Sequence, residues 1–212
     1  MQFNSFSYIL LFLPLTAAVY FLASRHRAYT GKLALVLAGA VFYALGGWKS
    51  AVVLAVSLAV NFAFAKAMEK TSVPGRALLT VPVVLNAALL FVFKYTGFVL
   101  TNLNALGASF ALPELMLPLG ISFFTFQQIA YLAAVYKKEL PRADALDYLA
   151  YILYFPKLLM GPLMDPVDFV TQLNDASLKR PNAENIAAGL KLFSFGLFKK
   201  LLLADTFAKA VA

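Results

Sequence analysis

The sequence predicts an all-α integral membrane protein, a bundle of about six to seven transmembrane or re-entrant helices forming a single membrane domain over residues 1–212. Three observations predict it. Hydrophobic residues make up 62% of the chain and charged residues 13%, whereas a soluble domain is roughly half apolar and about a quarter charged. The apolar residues fall in long runs separated by short polar joints. Those joints carry the lysines and arginines, so the net charge of +8 reads as a topology signal. A nucleic-acid surface would instead gather its charge along one helix or face, and no nucleic-acid partner is expected. With no cysteine, the chain has no disulfide, thiol nucleophile or thiolate metal site of its own.

The first run, residues 7–23, has no lysine or arginine ahead of it. It lacks the basic start of a secretory signal and is expected to stay as a span. Pro14 inside it has no backbone donor and is expected to kink the helix or close an interfacial first turn. Arg25, His26, Arg27 and Lys32 then make a basic loop. His26 is the one histidine of the chain. Between two arginines and without a carboxylate or second histidine beside it, it reads as a solvated loop residue rather than a base. The second run, 33–48, ends on Trp48, an interfacial anchor after two glycines. The third, 51–65, holds Asn61, and the fourth, 77–93, holds Asn86, whose amide lipid would leave unbonded and which should point into the bundle. Residues 95–114 mix apolar side chains with Asn102, Asn104, Gly107 and Pro113 and read as an interfacial or re-entrant piece. The loops 25–32, 66–76 and 137–142 hold three lysines or arginines each, against Lys49 and Lys94 on the alternate connections. That asymmetry places the basic loops in the cytoplasm and the N-terminus outside.

Residues 117–173 are the centre of the chain. The run 115–136 is long enough to cross a hydrocarbon core of about 30 Å. It carries Ser122, Thr125, Gln127 and Gln128 to a depth where lipid offers them no partner, so they should face protein or a cavity. The run 146–164 cannot be a plain span, because Pro156, Lys157 and the pair Gly161-Pro162 interrupt it. Broken half-helices are expected, with residues 156–162 as a cavity wall. The competing reading has Lys157 reaching from an interfacial helix to the lipid phosphates. Residues 165–185 are the most polar stretch and should lie in water, and the three aspartates Asp165, Asp168 and Asp175 lack paired histidines, so no metal site is expected. In the apolar run 186–208, Lys191, Lys199 and Lys200 do not share one helical face. Lys199 and Lys200 read either as a basic wall for an anionic acyl carrier or carboxylated sugar, or as a helix end at the cytoplasmic interface.

The runs LPLGISFFTFQ, FPKLLMGPL followed by DFVTQL, and GLFKKLLLAD, in that order, resemble the membrane-bound O-acyltransferase family, and in particular its bacterial branch acting on cell-surface polysaccharides such as alginate. The opening FNSFSYILLFLPLTAAVYFL is similar to the opening of that branch. The resemblance implies transfer of an acyl group, acetyl in this branch, from acetyl-CoA or an acyl carrier in the cytoplasm to a polysaccharide hydroxyl reached from the outer face. It implies no bound cofactor, a setting in the bacterial cytoplasmic (inner) membrane, and a periplasmic or extracellular acyltransferase as a partner protein. It also implies a tunnel in which the substrates meet, with Ser122, Thr125, Gln127, Gln128, Lys157, Gly161 and Pro162 along its wall. The histidine regarded as catalytic in the family lies in the half that would follow Ala212, so no catalytic residue is expected in this chain, and the isolated chain is expected to be inactive. Asp165 stands where relatives often have a basic residue after the Gly-Pro pair.

Acyl transfer needs a base near the acceptor and donors around the developing oxyanion. The chain offers donors on 122–128 and only His26 as a base. It has no Walker loop, dinucleotide fingerprint, zinc-protease signature or serine elbow. Two rival readings remain open on the residues: an inactive truncated or scaffold membrane subunit, and a small transporter or channel, which would also use broken helices and intramembrane polar groups.

Overall fold

The computed structural model describes residues 5–111, 115–140, 144–159 and 161–211, without the side chains of residues 26, 28 and 209–211. Every regular element among them is a helix. Among the described residues three stretches are long and apolar enough to cross a membrane, Ser7–Arg25, Trp48–Glu69 and Arg76–Ala105, and the chain is a membrane protein. Shorter apolar helices cover Tyr29–Ala44 and Ile121–Tyr136. Packing divides the chain into two units, Lys32–Asn174 and the segments on either side of it.

In the flanking unit a π-helical turn, Ser7–Phe12, leads into α1, Leu13–His26. Pro14 lies in the first turn of α1, and the turn ahead of it is widened so that Leu13 N–H reaches the Tyr8 carbonyl. The widened pairing relieves the clash a proline ring makes with the preceding turn. The basic loop expected at 25–32 shrinks to a single residue, Arg27, because α2, Ala28–Ala44, begins directly after it. Thr30 braces this corner: its N–H donates to the Arg27 carbonyl at 3.1 Å, and its Oγ1 reaches the Ala23 carbonyl, which the end of α1 would otherwise leave unbonded, at 2.6 Å. The His26 side chain, read above as solvated, lies outside the described residues. Beyond residue 174, a 3₁₀ turn at Ser177–Lys179 precedes a long helical run. Asn182 caps the run, accepting from Glu184 and Asn185 N–H. In that run Lys199 and Lys200 are exposed, and Lys200 pairs with Asp205 at 2.5 Å.

In the central unit the third and fourth runs become α3, Trp48–Glu69, and α4, Arg76–Leu90. The expectation of a separate interfacial piece at 95–114 is corrected over its first part. A π turn at Phe91–Tyr95 carries the helix straight on into α5, Thr96–Ala105. Lys94, counted above as an outer-loop charge, therefore sits inside a continuous helix, 5.6 Å from the Tyr95 ring centre and 3.4 Å from Ser122 Oγ. Asn102 and Asn104 end the helix: Asn102 bonds back to the Phe98 carbonyl, and Asn104 exchanges two bonds with the Phe110 backbone. Pro113 and Arg142 lie outside the described residues.

The hub is α6, Ile121–Tyr136, which packs on α3 and α4 and on the shorter helices α7, Ala145–Ile152, and α9, Pro166–Asn174. The helix expected over 115–136 starts late. Pro118 and Gly120 hold the preceding backbone out of helix, Gly120 at φ 64°. The Leu119 carbonyl accepts from Tyr43 OH at 2.6 Å, and its N–H reaches Ser50 Oγ at 3.4 Å, so the irregular backbone is satisfied by side chains of α2 and α3. At 1.5 Å per residue α6 is about 24 Å long, short of the hydrocarbon thickness. The break expected in 146–164 is present: α7 stops at Ile152 and a single turn, α8, Phe155–Leu158, follows with Pro156 in its first turn. Asp144 caps α7 through Leu146 and Asp147 N–H.

The polar stretch at 165–185 is corrected in its first half. Residues 166–174 are helical, and Phe169, Val170 and Leu173 are buried on one side. Their spacing is that of an amphipathic helix, which the high polar content conceals. Asp165 caps this helix by accepting from Val167 N–H at 2.7 Å and Asp168 N–H at 3.3 Å. Asp175, past its end, accepts two bonds from Ser177, and these hold its carboxyl below the ordinary carboxylate range.

Candidate functional site

The polar residues of α6 turn inward, as the cost of leaving amides in lipid requires. Gln127 and Gln128 are 0% exposed and Thr125 1%, while Phe126 between them is 49% exposed. Ser122 is half-buried beside Lys94. Two polar layers result, one on each side of the helix.

On the α3 and α4 side, Gln128 Oε1 accepts from Ser57 Oγ at 2.8 Å and from Asn61 Nδ2 at 2.5 Å. Asn86 Nδ2 donates to Asn61 Oδ1 at 2.6 Å and to the Pro82 carbonyl at 2.8 Å. Ser57, Asn61 and Asn86 also form the floor of a cavity of about 400 Å³ between α3 and α4, whose walls are Val52, Val56, Val60, Leu85, Leu89 and Phe93. These amide bonds are the glue that fixes α3, α4 and α6 in register. Asn86→Ala is expected to lower stability by about 1 to 2 kcal/mol, the upper part of the range for side-chain bonds in membranes, because it leaves the buried Asn61 Oδ1 without its donor. Thermal unfolding in detergent measures this; the exposed neighbour Leu85→Ala serves as the comparison.

On the α7 side the layer is aromatic. The Tyr131 ring lies 4.8 Å from Tyr148 and 6.0 Å from Tyr151. Tyr151 meets Phe169 edge-on at 5.5 Å and donates its hydroxyl to the Met164 carbonyl at 2.8 Å, holding down the chain after Gly161-Pro162. Lys157 enters this layer from α8. It is 3% exposed, and its Nζ stands 3.5 Å from the Tyr151 ring centre and 4.7 Å from that of Phe169. The reading in which Lys157 reaches out to lipid phosphates is thereby set aside. Gly161 lies against the Lys157 backbone, and Pro162 is exposed. Thr125 Oγ1, both amide atoms of Gln127, Tyr131 OH, Tyr148 OH and Lys157 Nζ are buried without a hydrogen-bond partner among the described residues.

Two glycines let backbone close around the break. A Cβ on Gly39 would run into the Leu153 carbonyl, and one on Gly120 would stand 2.8 Å from the Leu158 carbonyl. The tyrosine layer was not singled out in the sequence. Its signal was available: Tyr131 follows Gln127 by one turn on α6, and Tyr148 and Tyr151 are one turn apart on α7. No group of three histidine, aspartate or glutamate side chains converges to hold a metal ion among the described residues.

Inward amides, a break between α7 and α8 and a buried lysine define a polar site walled by a helical bundle. Over residues 121–212 the chain matches the model of the MBOAT, membrane-bound O-acyltransferase family. It is 35% identical to the peptidoglycan O-acetyltransferase of Helicobacter pylori over 97% of this chain and 45% of that protein. It is also 32% identical to the probable alginate O-acetylase AlgI of Pseudomonas aeruginosa, over 98% of this chain and 41% of that protein, and 32% to that of Pseudomonas putida, over 98% and 44%. The chain belongs to the membrane-bound O-acyltransferase family. It spans less than half the length of these relatives, aligning with their N-terminal part. No solved structure matches it.

Proposed function

We propose that the chain forms one wall of the reaction tunnel of a polysaccharide O-acetyltransferase, within a single membrane domain of the bacterial inner membrane whose N-terminus lies outside. The observation that supports this most is similarity along nearly the whole chain to proteins named for acetyl transfer to two different glycans. Acetyl-CoA or an acyl carrier supplies the acetyl group from the cytoplasm, and a sugar hydroxyl on the far side receives it. The thioester carbonyl of the donor becomes tetrahedral when the sugar oxygen adds to it and before the C–S bond breaks to release the thiol, and its oxyanion needs donors in a water-poor setting. Gln127 Nε2, Thr125 Oγ1 and the hydroxyls of Tyr131 and Tyr148 are donors already desolvated and unspent. Their part is to position and polarise; proton abstraction requires a base that this wall does not contain. A periplasmic or extracellular acyltransferase is the proposed partner in handing the group on.

The test is chemical. Deleting the gene in the bacterium that encodes this chain is expected to lower the base-released acetate of its cell-surface polysaccharide several-fold, and a plasmid copy is expected to restore it. Unchanged ester content in the deletion strain would overturn the proposal. Within a complementing copy, Gln127→Leu, which keeps volume but removes both amide atoms, is expected to depress ester content about ten-fold or more, in line with the loss of an oxyanion donor.

A further inference from the structure

Lys157 lacks what a lysine head ordinarily needs. It is 3% exposed, and among the described residues no carboxylate, carbonyl or hydroxyl bonds to it. The faces of Tyr151 and Phe169 attract an ammonium through their ring quadrupoles, yet they supply no counter-charge. A charge taken out of water and left unpaired opposes folding, and an apolar side chain of similar length would serve packing better. The groups beside it share the same deficit. Tyr131 OH, on a ring 6.0 Å from that of Tyr151, and Tyr148 OH, on a ring 4.8 Å from that of Tyr131, have no partner among the described residues, nor does the amide of Gln127 one turn from Tyr131. These groups are all able to donate, and together with one cation they match a ligand that offers several acceptor oxygens and a negative charge.

We propose that Lys157, seated on Tyr151 and Phe169, is the counter-charge for an oxyanion of a substrate, a carboxylate or phosphate received where the helix breaks between α7 and α8. The inference rests on the acyl-transfer reading for the identity of the anion. Two sources carry the same chemistry: the carboxylate of an acidic sugar in the acceptor and a phosphate of the acyl donor. The break supplies the approach, since irregular backbone within a membrane protein is suited to lining a polar path. Gly161 packs against the lysine's own backbone there, and the Tyr151 hydroxyl bonds the Met164 carbonyl in the chain that follows.

The test compares the detergent-purified wild type with Lys157→Met and Lys157→Arg. Titration calorimetry follows coenzyme A, an oligouronate and a neutral oligosaccharide of equal length, and thermal unfolding is recorded without ligand. Wild type is expected to bind at least one of the two anions, and Lys157→Met to bind that one at least about ten-fold more weakly. Lys157→Arg is expected to keep most of the affinity, because the charge remains. Without ligand, Lys157→Met is expected to unfold at the same temperature as wild type or higher. A loss confined to the oligouronate assigns the anion to the acceptor, and a loss confined to coenzyme A assigns it to the donor. Wild type binding neither anion, a methionine variant that keeps its affinities, or one that unfolds several degrees lower would each overturn the proposal, the last because it would make the caged ammonium a structural strut. Ester content in the deletion strain is scored separately, so the oxyanion site can fail while acetyl transfer stands.

Discussion

Gly120→Ala is expected to destabilise the protein by roughly 2 to 5 kcal/mol, the sum of a left-handed backbone penalty and an overpacking penalty. Gly120 sits at φ 64°, a region that side chains with a Cβ occupy at a cost. Its missing Cβ is also where the α8 turn passes: the Leu158 carbonyl would be 2.8 Å away and Leu159 Cα 3.2 Å. Those neighbours are backbone atoms, so no side-chain rotation relieves the clash. The consequence reaches the candidate site, because displacing residues 158 and 159 drags Lys157 off the Tyr151 ring. Gly97→Ala is the control. Nothing lies within 4 Å of its missing Cβ, and the change is expected to be neutral or slightly stabilising. Thermal or denaturant unfolding in detergent reads both variants, and equal stability of the two would contradict the packing described for Gly120.

Asp147→Ala is expected to cost roughly 3 kcal/mol, the lower end for breaking a buried ion pair by removing one partner. Asp147 pairs with Lys32, with side-chain exposures of 9% and 12%. Asn174 closes a triangle, accepting from Lys32 at 2.7 Å and donating to Asp147 Oδ2 at 3.1 Å. Lys32 and Asn174 are the first and last residues of the central unit, so the triangle clasps the point where the chain enters and leaves it. Removing the carboxylate strands a lysine head in a nearly dry place. Lys32→Met added to Asp147→Ala is therefore expected to recover much of the loss. In a double-mutant cycle the coupling energy should fall within the ~0.5 to ~3 kcal/mol found for residues in contact. Strict additivity would show that the three side chains do not act together.

The inward turn of Asn86, Gln127 and Gln128 was legible in the sequence because lipid leaves an amide no alternative. The break at Pro156 was legible for an equally local reason, the missing donor. What stayed hidden depends on residues far apart in the chain. The late start of α6 is stabilised by Tyr43 and Ser50, 76 and 69 residues from Leu119. Lys32 looked like a topology charge, and its partner lies on α7. The helix through Phe91–Tyr95 into Thr96–Ala105 was obscured by Asn102 and Asn104, whose low helix propensity the continuous apolar run overrides. The same distinction holds at the site. Its amides could be read from composition at depth, whereas the aromatic seat of Lys157 required Tyr151 and Phe169 from two different helices.

The central claim is that α6 presents Phe126 to lipid and gathers Gln127, Gln128 and Tyr131 inside protein. The chain has no cysteine, so single-cysteine spin labels along Ile121–Tyr136 can be introduced into an unaltered background in bilayers. Oxygen accessibility by power saturation is expected to rise and fall with a helical period, highest at 126 and its helical neighbours 129, 130 and 133, and lowest at 124, 127, 128 and 131. Maximal oxygen accessibility at 127 and 128, with Phe126 shielded, would contradict the account.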